Sequence, residues 1–298
     1  MEGKRLLFIV NPKAGKAQVK NQLLGIIDTF VKAGYEVTTY VTQSKGDAMR
    51  AVRDRREGYD LIVCSGGDGT LDEVVTGMVK SGKSLPIGYV PAGSTNDFAN
   101  SLGLSKNMQK AALTVVEGRE FACDIGAFNR DVFVYVAAFG MFTDVSYGTG
   151  QEIKNLLGHM AYLLEGVKSL AAIKAYPMRF SYGDTVIEGN FLYGMVTNSE
   201  SVGGFKGLTG KNVALNDGEL EVTLIRKPTN LIEMNQLVSA MVDRDMSNDF
   251  IYSFKTSKLQ VTAAEEVAWT LDGEFGGNHK EVLIEDYPQI MRIIVPKI

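Results

Sequence analysis

The sequence predicts a protein of two domains: an α/β amino-terminal domain with a Rossmann-like parallel sheet, followed by a largely antiparallel β-sandwich. Strand and helix patterns alternate through residues 1–120, which is typical of a parallel sheet covered by helices on both faces. After about Cys123 most apolar runs have the length and alternation of strands. We therefore predict domains at residues 1–124 and 125–287. The sequence does not decide which of the two domains contains the last strand, within 288–298, and a return to the first domain is one alternative.

The elements of the first domain follow from hydrophobic spacing and from the residues that bound each run. The clearest helix has apolar residues three and four positions apart and ends at Gly34, a residue favoured just past a helix C-terminus. The predicted strands are Arg5–Val10, Tyr35–Thr42, Leu61–Ser65 and Pro86–Val90. The predicted helices are Val19–Ala33, Ala48–Arg56, Thr70–Lys80, Asp97–Leu102 and Met108–Glu117.

The second domain is predicted to consist mostly of strands. These are Val132–Phe142, Met178–Tyr182, Thr185–Thr197, Glu219–Ile225, Phe254–Ala263 and Glu265–Leu271. A final strand is predicted at Ile290–Pro296, and it could belong to either domain. Two helices are predicted among them, Glu152–Ile173 and Asn230–Val242. The first of these helices has one apolar face and several lysines, so it either lies against a bilayer or packs on the sheet.

Composition excludes several classes of function. A net charge of −4 and a pI near 5.4 argue against a nucleic-acid-binding protein, which needs a basic excess. The longest apolar run, Val132–Phe142, is far short of the ~20 residues of a membrane-spanning helix, so any bilayer contact is expected to be peripheral. Cys64 and Cys123 lie in apolar stretches and are expected to be reduced, buried thiols of a cytoplasmic protein.

Histidine is scarce, since the chain has two, His159 and His279. Zinc hydrolases and Ser-His-Asp enzymes need histidines in defined patterns, and the sequence has neither such a pair nor a Gly-x-Ser-x-Gly motif. General-base chemistry would therefore be expected from a carboxylate.

The strongest motif is the glycine-rich loop Ser65-Gly66-Gly67-Asp68-Gly69-Thr70, between a buried strand and a helix. Glycines let the backbone N–H groups approach a phosphate closely, at the N-terminus of the helix. An aspartate beside phosphates is repulsive unless it faces a divalent cation or a transferable proton, which makes Asp68 a candidate functional residue. The alternative is a strand-to-helix turn that merely needs glycine.

Two further loops follow predicted strands. In Pro91–Ala99, the side chains of Ser94, Thr95 and Asn96 can bind a phosphate or a nucleotide base, and Asp97 is a second acidic candidate. The alternative is that Thr95 or Asn96 caps the following helix. The loop from Asn11 to Lys16 has the composition of a phosphate-binding loop, but its Gly-Lys pair is not followed by Ser or Thr, so it is not a Walker P-loop.

Together these three loops resemble the nucleotide-binding motifs of the diacylglycerol kinase catalytic domain family, which also includes sphingosine and ceramide kinases. The resemblance follows the whole chain in order. It implies a fold of the NAD-kinase and diacylglycerol-kinase type, with an ATP site between the domains and a lipid-facing second domain. The implied nucleotide-binding residues are Asn11, Pro12, Lys13, Ala14, Gly15, Thr42, Gly66, Gly67, Asp68, Gly69, Thr70, Leu71, Asp72, Glu73, Gly93, Thr95 and Asn96.

The resemblance also assigns roles to two Asp-Gly-Glu turns. At Asn216–Glu219 it implies a magnesium site formed by the carboxylate of Asp217 and the carbonyls of Ala214 and Glu219, whereas the local pattern equally favours a plain hairpin turn. At the second turn it implies that Glu274 is the general base for the lipid hydroxyl, with Asp68 and Asp97 ordering Mg²⁺ and water.

The resemblance therefore implies an ATP- and Mg²⁺-dependent kinase for a lipid alcohol, with diacylglycerol as the first expectation, acting at the inner face of the membrane. One departure is Asn100, where many family members have Arg or Lys, which leaves the mode of membrane docking open. The alternatives are a kinase for a soluble substrate, of the NAD-kinase type, and an inactive module that binds nucleotide or lipid. The oligomeric state is left open, with a homodimer as one alternative.

Overall fold

The computed structural model describes residues 3–15, 17–55, 57–82, 84–140, 173–202, 205–206, 213–243 and 248–297. By their contacts the residues divide into two units, Met1–Asp124 with Pro288–Ile298, and Ile125–Tyr287. The chain therefore passes from one unit to the other twice. None of the helices in the described part of the chain is long and apolar enough to cross a membrane.

The first unit is built on a parallel sheet. Its strands are β1 (Lys4–Val10), β2 (Tyr35–Val41), β3 (Leu61–Gly66) and β4 (Ile87–Pro91). They are ordered β4-β3-β1-β2, and each neighbouring pair is parallel. Near the end of the chain Ile293 pairs in parallel with Ile87 of β4. Because the strands run the same way, their carboxyl ends share one edge, where open α/β sheets bind ligands.

The described part of this unit contains five helices. They are α1 (Val19–Lys32), α2 (Asp47–Arg55), α3 (Asp68–Lys80), α4 (Asp97–Ser101) and α5 (Met108–Glu117). The apolar face of α1 is anchored by Phe30, whose ring lies edge-on to Phe8 of β1 with 5.4 Å between centroids. Helices α2 and α3 pack closely at Gly77, where an added Cβ would lie 2.7 Å from the carbonyl oxygen of Met49. The confirmed α/β pattern thus rests on a tightly packed core.

The second unit is mostly antiparallel. Strand β5 (Arg119–Phe128) leads into it and β15 (Glu274–Val295) leads out of it. Between them lie β6 (Asp131–Phe133), β7 (Val136–Gly140), β8 (Tyr176–Tyr182), β9 (Thr185–Thr197), β10 (Ser201–Val202), β11 (Phe205–Lys206), β12 (Leu220–Arg226), α6 (Leu231–Asp243), β13 (Ile251–Thr256) and β14 (Lys258–Leu271).

Two long strands hold the second unit together. Both β9 and β14 pair with β8 through one half of their length and with β7 through the other. The side chains enclosed between the strands are aliphatic and aromatic, with Trp269 fully buried and its ring centroid 4.8 Å from that of Phe139. The sandwich-like β domain predicted from the sequence is therefore present.

Some elements differ from their prediction. The run Val132–Phe142, predicted as one strand, is divided into β6 and β7. The interruption at Val134 and Tyr135 occurs because their N–H groups donate to the carboxylate of Asp272. Strand β14 continues through residue 264, where a break was predicted, and the break lies instead before Lys258.

Two strands were not predicted over most of their length. Strand β5 contains charged residues at Arg119, Glu120 and Asp124 that obscure its pattern, and β15 contains Gly276 and Gly277. Residues 213–215, before the Asp217 turn, are not a strand, so that turn does not close a hairpin. The predicted helix Glu152–Ile173 lies, except for Ile173, outside the described residues.

Candidate active site

Three loops meet at the carboxyl edge of the parallel sheet. We name them the first loop (Asn11–Gly15, after β1), the second loop (Gly66–Thr70, after β3) and the third loop (Ala92–Asn96, after β4). The first is tied to the second, because the Asn11 side-chain amide donates to the hydroxyl of Thr70 at 3.1 Å. The third is also tied to the second, because the Ala92 N–H donates to the carbonyl of Gly66 at 2.7 Å. The glycine-rich segments are thus brought together.

Glycine is required where these loops touch. A Cβ on Gly93 would lie 2.5 Å from the Cα of Gly67, which is closer than any real contact. A Cβ on Gly15, whose φ is +52°, would lie 2.5 Å from the carbonyl oxygen of Ala92. The loops therefore approach backbone to backbone, which leaves peptide groups as the main lining of this edge.

Asp68 links the second loop to α4. Its Oδ2 accepts from the Asp97 N–H at 3.0 Å, and its Oδ1 accepts from the Phe98 N–H at 3.3 Å. The Thr95 hydroxyl also donates to Oδ2, at 3.3 Å. Asp68 is therefore the N-terminal cap of α4, although it is 29 residues away from Asp97 in the sequence. Asp68 is partly exposed, whereas Asp97 is 2% exposed.

These contacts decide the capping alternative for the third loop, whereas its predicted contacts with phosphate or base stay a prediction. Asn96 occupies the N-cap position of α4, but its side chain does not cap the helix. Instead its Oδ1 accepts from the Gly93 N–H and its Nδ2 donates to the Gly93 carbonyl, both at 2.9 Å, which holds the backbone of Asn96 at a φ of +52°. Thr95 bonds to Asp68 and does not cap α4 either.

A buried tyrosine supports the same turn. The Tyr89 hydroxyl is within hydrogen-bonding distance of the Gly66 carbonyl, at 3.3 Å, and of Asn96 Oδ1, at 3.4 Å. Burial, together with the negative charges of Asp68 and Asp97, raises the pKa of Tyr89 well above its usual value. Tyr89 is therefore a neutral donor that fixes the geometry of the second and third loops.

Glu73, predicted to contact nucleotide, bonds to the start of α2. Its Oε1 accepts from the Gly46 N–H at 2.6 Å and its Oε2 from the Ala48 N–H at 3.0 Å. This contact stabilises the segment after β2, where Thr42 donates its N–H to the Val10 carbonyl at 2.9 Å. Asn100, in place of the basic residue, donates to the Thr95 carbonyl at 3.4 Å.

In the second unit, Glu274 follows a tight hairpin turn. Leu271 and Glu274 pair across β14 and β15, and the two residues between them, Asp272 and Gly273, have φ values of +49° and +84°. Two consecutive positive φ values are typical of a type I′ turn, for which Asp-Gly is a preferred sequence. Glu274 is exposed. The structure does not test its predicted role as a base, which stays a prediction.

At the turn predicted to bind magnesium, Asp217 forms an ion pair with a lysine. Lys255 Nζ lies 2.7 Å from Asp217 Oδ2 and 3.2 Å from Glu221 Oε1, and Asp217 Oδ1 accepts from the Glu219 N–H. Within the described ranges no three acidic, His or Cys side chains are placed to hold a metal. Because the Lys255 ammonium neutralises the Asp217 carboxylate in this arrangement, we expect magnesium to compete with that ion pair. The predicted magnesium site, formed by Asp217 and the carbonyls of Ala214 and Glu219, is not tested by these contacts and stays a prediction.

Glu221 is the unusual member of that cluster. It is 3% exposed, and its Oε2 has no hydrogen-bonding partner among the residues described. Burial raises its pKa to about 7, against the opposing effect of the Lys255 ammonium.

Two functional candidates were not found from the sequence. No sequence pattern indicates that Lys255 contacts the Asp217 turn, because the two residues are 38 positions apart. Asp272 was seen only as part of a turn motif, although an aspartate before glycine at a hairpin is a recognisable signal for a side chain that bonds backbone N–H groups.

Two family models match the chain. The diacylglycerol kinase catalytic domain matches residues 5–128, and the YegS C-terminal NAD kinase beta sandwich-like domain matches residues 139–295. The two matches correspond closely to the α/β unit and to the antiparallel strands that follow it.

Curated relatives match over nearly the full length. The chain is 34% identical to a diacylglycerol kinase of Bacillus subtilis (strain 168), covering 99% of this chain and 97% of the relative. It is 32% identical to a diacylglycerol kinase of Staphylococcus aureus (strain bovine RF122 / ET3-1), covering 92% and 87%. A crystal structure of a diacylglycerol kinase from Bacillus anthracis str. Sterne has the same fold, with a TM-score of 0.77 at 23% identity over 99% of this chain and 98% of that one.

Proposed function

Because the chain belongs to the diacylglycerol kinase family, we propose that it transfers the γ-phosphoryl group of ATP to the hydroxyl of diacylglycerol. The hydroxyl oxygen forms a bond to the γ-phosphorus, the bond between that phosphorus and the bridging oxygen breaks, and ADP leaves. The products are phosphatidic acid and ADP.

The observation that carries this proposal is the convergence of the three loops at one edge of the parallel sheet. Their close contacts at Gly15 and Gly93 admit no side chain, so a polyphosphate here would meet backbone N–H groups and the N-terminus of α3. The N-cap Gly67 has no side chain to satisfy the N–H groups of the first turn. These features support the binding of ATP phosphates by the first, second and third loops.

Asp68 is proposed to contribute a carboxylate beside those phosphates. The contacts from the N–H groups of Asp97 and Phe98 fix its orientation without removing its charge. Carboxylate oxygens are ligands that magnesium prefers, so the residues present fit Mg²⁺ that enters with ATP. When bound, Mg²⁺ neutralises charge on the phosphate oxygens.

Glu274 is proposed as the general base that takes the proton of the lipid hydroxyl. It is an exposed carboxylate at a rigid turn in a protein that has two histidines. A positioned base typically contributes about 10²–10⁴ in rate. Since the acceptor is a lipid, we propose that the enzyme works at the cytoplasmic face of a membrane through peripheral contact.

The test incubates the protein with γ-labelled ATP, Mg²⁺ and a total lipid extract, and in parallel with NAD, and identifies the labelled product. We expect label in phosphatidic acid and none in NADP. Label in another phospholipid would assign a different lipid alcohol as substrate, whereas label in NADP alone would overturn the proposal.

The role of Glu274 is tested with Glu274→Gln. Turnover should fall at least about 100-fold with ATP binding unchanged, because only the base is lost. The matched control is Glu265→Gln, an exposed glutamate on β14 of the same unit, which should keep wild-type turnover. Wild-type turnover in Glu274→Gln would remove Glu274 from the mechanism while leaving the kinase assignment intact.

A further inference from the structure

The turn that carries Glu274 contains a buried carboxylate. Asp272, the first of the two central residues of the type I′ turn, is 5% exposed, although turns between antiparallel strands usually place polar side chains in solvent. A charged side chain is buried at a cost unless hydrogen bonds compensate for the lost water. The hydrogen bonds that compensate here show which part of the backbone this side chain fixes.

Three backbone N–H groups converge on Asp272. Its Oδ2 accepts from Val134 N–H at 2.6 Å, and its Oδ1 accepts from the N–H groups of Tyr135 and Val136, both at 2.9 Å. The N–H of Asp272 in turn donates to the Val136 carbonyl at 2.8 Å. Hydrogen bonds to an ionised acceptor are about twice as strong as neutral ones. The turn is therefore fixed by four hydrogen bonds to residues 134–136, which are the link between β6 and β7 and the first residue of β7.

Hairpin closure alone does not need such an anchor. The hairpin between β8 and β9 is also closed by two residues, Gly183 and Asp184, and both are exposed. That hairpin has an aspartate in its turn, as the β14–β15 hairpin does, yet its aspartate is not buried.

We infer that Asp272 is a positioning residue for Glu274. The two are separated by Gly273 alone, so a turn held at Asp272 sets where the backbone of Glu274 lies. This inference rests on the proposed role of Glu274 as the base. A base acts only within hydrogen-bonding reach of the proton it takes, and an error of about 1 Å in its place can cost roughly 10²-fold in rate.

The test is Asp272→Asn, alone and combined with Glu274→Gln. Asparagine keeps the size of the side chain and tolerates a positive φ, but it presents an amide to N–H donors. We expect kcat to fall about 10–100-fold with the KM for ATP unchanged, because the base is displaced while the nucleotide site of the other unit is untouched. In the Glu274→Gln background the same substitution should cause no further loss. Asp184→Asn is the matched control and should leave kcat unchanged.

Each outcome decides the inference. Wild-type kcat in Asp272→Asn, with Glu274→Gln impaired, would overturn the positioning role and leave the base assignment standing. An equal loss of kcat in both backgrounds would show that Asp272 acts by another route and would also overturn it. Wild-type kcat in Glu274→Gln would refute the base assignment and the inference with it, while label in phosphatidic acid still supports the kinase.

A second variant covers the case in which Asp272→Asn does not fold. Glu274→Asp keeps the charge but shortens the side chain by one methylene, and a fixed turn cannot move to compensate. Its kcat should therefore fall at least about 10-fold. Wild-type kcat in Glu274→Asp would mean that the turn moves freely, which would overturn the inference.

Discussion

The contact between the second and third loops can be tested with a single methyl group. In Gly93→Ala the new Cβ would lie 2.5 Å from the Cα of Gly67 and 2.8 Å from Asn96 Oδ1. Non-bonded carbon atoms are stable at about 3.5–4.0 Å, so the loops must separate by roughly 1 Å. The neighbouring atom is backbone, so no side-chain rotation can relieve the contact.

The displacement allows the size of the effect to be estimated. Overpacking of this kind costs about 1–3 kcal/mol, which corresponds to a Tm lowered by roughly 2–5 °C in a chain of 298 residues. Because a misplacement of about 1 Å in a catalytic site can cost 10²-fold, kcat/KM for ATP should fall by about that factor. Activity should therefore be lost at temperatures where the variant is still folded.

The assay measures initial rates of phosphatidic acid formation at varied ATP concentration, with Tm measured by calorimetry. The control is Gly189→Ala in β9, where the added Cβ would meet its nearest neighbour, the ring of Phe191, at 3.6 Å, an ordinary contact. That variant should keep wild-type rates. If Gly93→Ala had a wild-type kcat/KM for ATP, close approach of the two loops would not be needed for nucleotide binding, and our reasoning about the site would be refuted.

Three other residues give further tests. Glu73→Gln should lower the free energy of unfolding by about 1 kcal/mol with little change in the KM for ATP, because Glu73 caps α2. A raised KM for ATP at an unchanged free energy of unfolding would show instead that Glu73 contacts nucleotide. In the absence of nucleotide, Mg²⁺ should leave the Tm of the wild type unchanged. It should raise the Tm of Lys255→Met, because Asp217 loses its cation in that variant. The control is Lys258→Met, which removes an exposed ion pair with Glu285. A Tm of the wild type that rises with Mg²⁺ would contradict this. Burial raises the pKa of Glu221 to about 7, so the folded protein holds this proton to a higher pH than the unfolded chain does. The free energy of unfolding of the wild type should therefore fall as the pH rises from 4.5 to about 7. In Glu221→Gln this loss should be absent, because the side chain no longer titrates. Urea unfolding across this range measures it, and equal losses in both proteins would refute the assignment.

Much of the first unit could be predicted from local pattern. The bounds of α5 were predicted without error, and the four strands of the parallel sheet were each placed to within one or two residues. Hydrophobic spacing and glycine at helix ends are properties of neighbouring residues, so they can be read without knowing the fold. The glycine-rich loops were likewise identified from the sequence, because closely packed backbone requires glycine.

The hydrogen-bond partners of the acidic side chains could not be predicted from local pattern. Asp68 bonds to N–H groups 29 and 30 residues further on, and Asp272 bonds to N–H groups about 136 residues earlier. The same long-range bonds divide the predicted strand 132–142 at Val134, although its apolar pattern is continuous.

The sequence by itself therefore determined the class of the fold and the composition of the loops. The tertiary structure decided which backbone groups the carboxylates of Asp68, Glu73 and Asp272 bind, and that Lys255 faces Asp217. The physical reason is that a carboxylate withdrawn wholly or partly from water binds hydrogen-bond donors or a cation, and here distant segments of the chain supply them.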